Sequence, residues 1–208
     1  MSGDLTVEPY LLPSPGEMPD ALVDWDIRPQ QATLLIHDMQ RYFLSPFPET
    51  MRSEIVGNVR DLHSWAQRAR AATAYTAQPG RMSDTDRGLL RDFWGPGMQT
   101  TDADRALVPE LELGDDAWPF VKWRYSAFHR SDLLTRMRED GRTQLVLCGV
   151  YAHVGILATA LDAYTHDIEV FLVGDAVADF TAADHRQTLE YTARCCARVV
   201  ATKWVTER

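Results

Sequence analysis

One short run limits the fold more than any other feature of the chain. QLVLCG (144–149) is nearly unbroken apolar sequence, with no polar residue at alternate positions. A strand with one wet face would alternate, so this one is read as buried on both faces. Similar runs recur: ATLLIHD (32–38), TAYTA (73–77) leading to Gln78, WPFVKW (118–123) ending near Lys122, EVFLVGDAV (169–177) and ARVVAT (197–202). Between them the apolar period becomes helical. Ile55, Val59, Leu62, Ala66 and Ala69 predict a helix over 53–70, and Val154, Leu157, Leu161 and Tyr164 predict the inner face of a later one. Ser83 with Asp86, Ser131, and Thr181 with Asp184 read as helix starts. Strand and helix thus take turns. The pattern predicts an α/β fold, doubly wound, with about six parallel strands and helices on both faces. The 208 residues suit a single domain over 1–208. Its first 30 residues, rich in Pro and acidic side chains, read as an extended arm on the surface.

Sheets of this kind bind ligands outside the carboxyl ends of their strands, near the switch in strand order. That rule selects Asp38, Gln78, Lys122 and the 149–155 turn. Asp38 ends an apolar strand, where it could cap the next helix. Lifted out of water it could instead carry a proton near neutral pH. Lys122 could pair with a surface acid, or it could meet Asp38 or a bound carboxylate. The CGVYAHVG segment (148–155) could be a tight turn needing glycine, or its free N–H groups could receive an anion. Cys148 reads as a buried strand residue, and His153 as a helix-start histidine bonded to a neighbour.

Other classes are excluded by charge and pattern. Lys plus Arg number 21 against 30 Asp plus Glu, a net charge of −9, which disfavours broad attraction to nucleic acid or anionic membranes. Three cysteines form no disulfide framework or metal-ligand spacing. No secretion signal or membrane-length apolar run is seen, so a cytoplasmic protein is expected. WGPGMQT lacks the third glycine of a dinucleotide fingerprint, and no phosphate-binding loop or G-x-S-x-G elbow occurs. Asp61 and His63 sit two apart on a predicted helix and do not face one way, so they are not read as a metal site.

LLIHDMQRYF, AYTAQPG, DRGLLRDFWGPGM, KWRYSAFHRSDL and CGVYAHVG occur in this order. On these motifs the chain resembles the isochorismatase family over nearly its whole length, and most of all its phenazine-type branch. The resemblance implies hydrolysis of the enolpyruvyl vinyl ether of 2-amino-2-deoxyisochorismate, with isochorismate as the alternative substrate. The products would be pyruvate and dihydro-3-hydroxyanthranilate, or 2,3-dihydro-2,3-dihydroxybenzoate. It implies Asp38 as proton donor and Lys122 as its charge partner. Gln78, Arg87, Tyr151 and the backbone at Gly155 would bind a small dicarboxylate substrate, in a pocket shaped by Trp94, Tyr125 and Phe43. It also implies a cis peptide at Val150–Tyr151, no metal or organic cofactor, and a homodimer or larger homo-oligomer. Cysteine amidohydrolases of the wider superfamily carry a nucleophilic thiol where this chain has Gly155. The resemblance therefore argues against covalent acyl chemistry. A siderophore-type isochorismatase, an amidohydrolase and a non-catalytic binding protein remain the alternatives.

Overall fold

A computed structural model describes residues 5–99 and 101–208. Six strands form one parallel sheet: β1 (Ala32–His37), β2 (Ala72–Ala77), β3 (Trp118–Val121), β4 (Gln144–Val150), β5 (Glu169–Ala178) and β6 (Ala197–Val200). Their order is β3-β2-β1-β4-β5-β6, so the doubly wound sheet read from the sequence is present. The chain reverses its direction of travel across the sheet between β1 and β4, which pair from Ala32↔Gln144 to His37↔Gly149. A crevice opens where the connections diverge to opposite faces.

The helices are α1 (Arg41–Leu44), α2 (Glu49–Ala69), α3 (Asp84–Arg87), α4 (Leu90–Trp94), α5 (Asp102–Arg105), α6 (Leu133–Glu139), α7 (Leu157–Thr165), α8 (Ala182–Cys195) and α9 (Thr202–Thr206). A π-helical turn, Ala152–Ile156, precedes α7. Strand alternation divides the core into two layers. Leu34, Ile36, Val146, Cys148, Phe171 and Val173 pack with Ile55, Val59, Leu62 and Trp65 of α2 and Val205 of α9. Leu35, Leu145, Leu147, Val170 and Leu172 pack with Leu133 and Met137 of α6, Ala160 and Ala163 of α7, and Leu189 and Ala193 of α8. Cys148 is fully buried as expected, and burial raises its thiol pKa.

Four expectations are corrected. Helix α2 begins at Glu49 rather than 53, because Pro48 precedes it and Met51 joins the core. Helix α6 has Asp132 at its N-cap; Ser131 lies one residue earlier, although its hydroxyl still accepts the Leu133 N–H at 3.2 Å. The inner face of α7 is Thr159, Ala160 and Ala163, not Leu157, Leu161 and Tyr164, and Tyr164 is 50% exposed. Small residues let that helix approach the sheet closely, and the larger apolar side chains lie on its flank. The arm is not merely laid on the surface: Val7, Leu12 and Ile27 are buried in the core layer that includes α2.

Candidate active site

The site assembles at the carboxyl ends of β1 to β4. Asp38 follows β1 with a positive φ of 51°. It does not cap a helix, since the N-cap of α1 is Gln40. The turn instead sends its carboxylate toward the neighbouring strand ends. Lys122, just past β3, places Nζ 2.9 Å from Asp38 Oδ2, and donates also to the Arg124 carbonyl at 2.8 Å. Thr76, the inward residue near the end of β2, donates its hydroxyl to Asp38 Oδ1 at 2.7 Å. Gln78, two residues on and on the same side, donates Nε2 to Oδ2 at 3.2 Å. Asp38 and Lys122 are both almost fully buried.

Burial pushes the Asp38 carboxyl pKa up. The Lys122 ammonium and the Thr76 and Lys122 hydrogen bonds together outweigh burial, and hold it below the ordinary carboxylate value. His37, fully buried, is kept neutral by the same loss of solvent. Its Nδ1 is 2.9 Å from the Val150 carbonyl; a carbonyl can only accept, so Nδ1 carries the proton.

The turn after β4 completes the floor. The Val150–Tyr151 bond is cis, as the resemblance implies. Gly149 has φ +114°, and a Cβ there would overlap the His37 carbonyl oxygen. At Gly155 a Cβ would overlap His37 Cε1 and lie 2.9 Å from Nε2. The position therefore holds no side chain, and the imidazole fills the space one would need. His153 is bonded to a neighbour as expected, with Nδ1 2.7 Å from Asp179 Oδ1.

A pocket of about 650 Å³, open solvent at its mouth included, joins these groups. Each site residue that the resemblance implies lies on it: Asp38, Lys122, Gln78, Arg87, Trp94, Tyr125, Tyr151, Gly155 and Phe43. Tyr42 lines it too, beside Phe43. The Tyr151 hydroxyl donates to the Phe43 carbonyl at 2.6 Å, and Trp94 Nε1 donates to the Tyr125 hydroxyl at 2.8 Å. Arg87 is buried against Gly97 and donates Nε to the Gly95 carbonyl at 3.0 Å. Arg124 donates to the Asp86 and Trp123 carbonyls, each at 2.7 Å. Among the described residues neither arginine is paired with a carboxylate. Among the described residues the pocket thus sets three cations, Lys122, Arg87 and Arg124, against the carboxylate of Asp38.

Sequence reasoning missed four contributors. Thr76 resembles any β-favouring residue, and only pairing geometry shows its hydroxyl on Asp38. Arg124 stands next to a selected residue without a motif of its own. Leu5 comes from the arm. Phe180 stacks on Tyr151 at 4.1 Å and faces Trp94 at 5.8 Å. It follows the carboxyl end of β5 by two residues, so the rule that selected Asp38 could have found it.

Comparison with known proteins places the chain in a family. Residues 32–203 match the family model of the isochorismatase domain. Over 207 residues the chain is 55% identical to the phenazine biosynthesis protein PhzD1 of Pseudomonas aeruginosa, covering all of both chains. It is 44% identical to the isochorismatase of Bacillus subtilis, over 94% of this chain and 64% of that one. Among solved structures, a cysteine hydrolase from Pseudomonas syringae pv. phaseolicola superposes with a TM-score of 0.82 at 24% identity, covering 91% of this chain and 97% of that one.

Proposed function

The chain belongs to the isochorismatase family and is a hydrolase of that type, and on that footing we propose that it cleaves the enolpyruvyl ether of 2-amino-2-deoxyisochorismate in phenazine-type biosynthesis. The observation that carries the reading is the buried Asp38–Lys122 pair in a pocket with two further arginines and no side chain at position 155. Both proposed substrates are dicarboxylates, and unpaired arginines suit two carboxylates. The relative at 55% identity bears a phenazine biosynthesis name, which favours the amino substrate over isochorismate.

In the proposed reaction Asp38, as the carboxylic acid, gives its proton to the terminal CH₂ of the enolpyruvyl group. The C=C electron pair forms the new C–H bond, leaving an oxocarbenium ion. Water adds to that carbon and returns a proton to the Asp38 carboxylate. The hemiketal hydroxyl then loses its proton as the carbon breaks its bond to the ring oxygen, the ring oxygen takes up a proton in its place, and pyruvate and the ring alcohol leave. Lys122 holds Asp38 ionised in the free protein. When a substrate carboxylate draws the ammonium away, the Asp38 pKa rises and the acid form becomes available. Gln78 and Thr76 fix the carboxyl so that one oxygen is aimed into the pocket. No covalent step is needed, and a thiol at position 155 has no room beside His37. We also propose a homodimer, which sedimentation velocity would report as twice the chain mass.

The test is pyruvate release, coupled to lactate dehydrogenase, from the two substrates side by side. Asp38→Ala is expected to lower kcat by about 10²–10⁴-fold. Full activity in that variant removes the mechanism. Preference for isochorismate moves the assignment to the siderophore-type reaction, and no release from either removes the substrate proposal.

A further inference from the structure

The arm is tied into the site by a backbone hydrogen bond and by one side-chain hydroxyl. The Glu8 N–H donates to the Phe180 carbonyl at 2.8 Å. Tyr10 Oη accepts the Asp179 N–H at 2.8 Å and lies 3.1 Å from His185 Nδ1. His185 Nε2 is 3.0 Å from the Gly174 carbonyl. That carbonyl can only accept, so Nε2 bears the proton and Nδ1 accepts from Tyr10; burial keeps this histidine neutral. The hydrogen bonds therefore run one way, from Asp179 N–H through Tyr10 O–H and His185 to Gly174.

Asp179 connects this chain to the pocket. Its fully buried carboxylate accepts the His153 N–H at 2.6 Å, His153 Nδ1 at 2.7 Å and the Phe180 N–H at 2.9 Å. One residue thus joins the arm, Phe180 and the 152–156 turn that contains Gly155. Phe180 in turn stacks between Tyr151 and Trp94. At the other end of the arm Leu5 lines the pocket, while Val7 between them is buried in the core. Among the described residues no hydrogen bond or ion pair joins these groups to Asp38 or Lys122.

We propose that Tyr10 is a positioning residue for the hydrolysis: its hydroxyl holds the arm and Phe180 together as one wall of the pocket, and this wall retains the substrate while Asp38 delivers its proton. The proposal rests on the ether-hydrolase reading above. Removing the hydroxyl strands the Asp179 N–H and His185 Nδ1, which favours opening of the wall. Substrate then escapes faster. The proton donor, held by Lys122, Thr76 and Gln78 across the pocket, keeps its geometry.

Tyr10→Phe retains the ring and loses only the hydroxyl. Its KM for pyruvate release is expected to rise about tenfold, from one lost buried hydrogen bond, with kcat within about twofold of the parent. Leu5→Ala raises KM in the same way, and Leu5→Met restores it. Hydrogen exchange on the unliganded protein is the second readout. In Tyr10→Phe, amides of 6–12 and of 176–182 exchange about tenfold faster, and those of β1 do not change. An unchanged KM, a matching loss of kcat with KM unmoved, or unchanged exchange in either segment overturns the proposal. If the parent protein releases no pyruvate at all, the hydrolase reading fails and substrate retention falls with it. Exchange then decides the coupling of arm to Phe180 by itself.

Discussion

Asp38 is under two opposed influences. It is removed from water, which favours the acid, and placed 2.9 Å from an ammonium, which favours the anion. The anion wins in the free protein. Because kcat/KM reports the free enzyme, its dependence on pH has a definite sign. The protonated fraction of a group with a depressed pKa falls about tenfold per pH unit throughout the neutral range. We expect log kcat/KM to fall with a slope near −1 between about pH 5 and 8, while kcat, set in the complex, stays flatter. A plateau in kcat/KM up to neutrality would mean that Lys122 does not dominate. Gly155 offers a second prediction. His37 is fully buried and fixed by Val150, so it cannot move from an added Cβ. Gly155→Ala should lower stability by about 1–3 kcal/mol, read by denaturant titration. Gly155→Cys should gain no thiol-dependent amidase activity, and iodoacetamide leaves ether hydrolysis by the parent protein intact.

At the scale of the element, much of the architecture was legible. Strands such as 145–149 are buried on both faces, and the sequence has no charged or amide side chain to accommodate there; Gln144, at the edge of that run, is satisfied by the Arg28 N–H and the Asp26 carbonyl. Helix α2 carries its apolar positions at clean helical spacing, and only its first turn was lost. Helix α7 was misread because periodicity weighs large side chains, whereas this helix packs through Ala160 and Ala163. Ala160→Leu tests the point: the added atoms have no room against the sheet, and a loss of about 1–3 kcal/mol is expected in thermal unfolding. Leu161→Ala, on the flank, should cost less. For the site, the polar residues at strand ends were legible because the carboxyl edge of a parallel sheet is where they are useful. Thr76, Arg124 and Leu5 were not, and Phe180 was legible only in its position just past the end of β5. Their roles come from register across strands, from a stack between distant segments, and from an arm whose path no local pattern specifies.

The whole molecule opposes its own pocket. It carries a net charge of −9, yet the crevice gathers Lys122, Arg87 and Arg124 around one acid. A dianionic substrate is repelled at long range and attracted at short range. Salt screens the first effect more than the second, because the Debye length shrinks from about 30 Å to about 8 Å between 0.01 and 0.15 M while contact pairs in a crevice are screened least. We therefore expect kcat/KM to rise modestly over that range of ionic strength. A steady fall would show that long-range steering by the pocket cations dominates instead. The stacked mouth of that pocket has a practical consequence. Trp94 is the only tryptophan among the described lining residues, its indole N–H is held by Tyr125, and its ring faces Phe180. An indole so placed is a built-in optical probe. Its emission should shift when a ligand replaces water beside it, so that occupancy can be followed by fluorescence before any bond is broken.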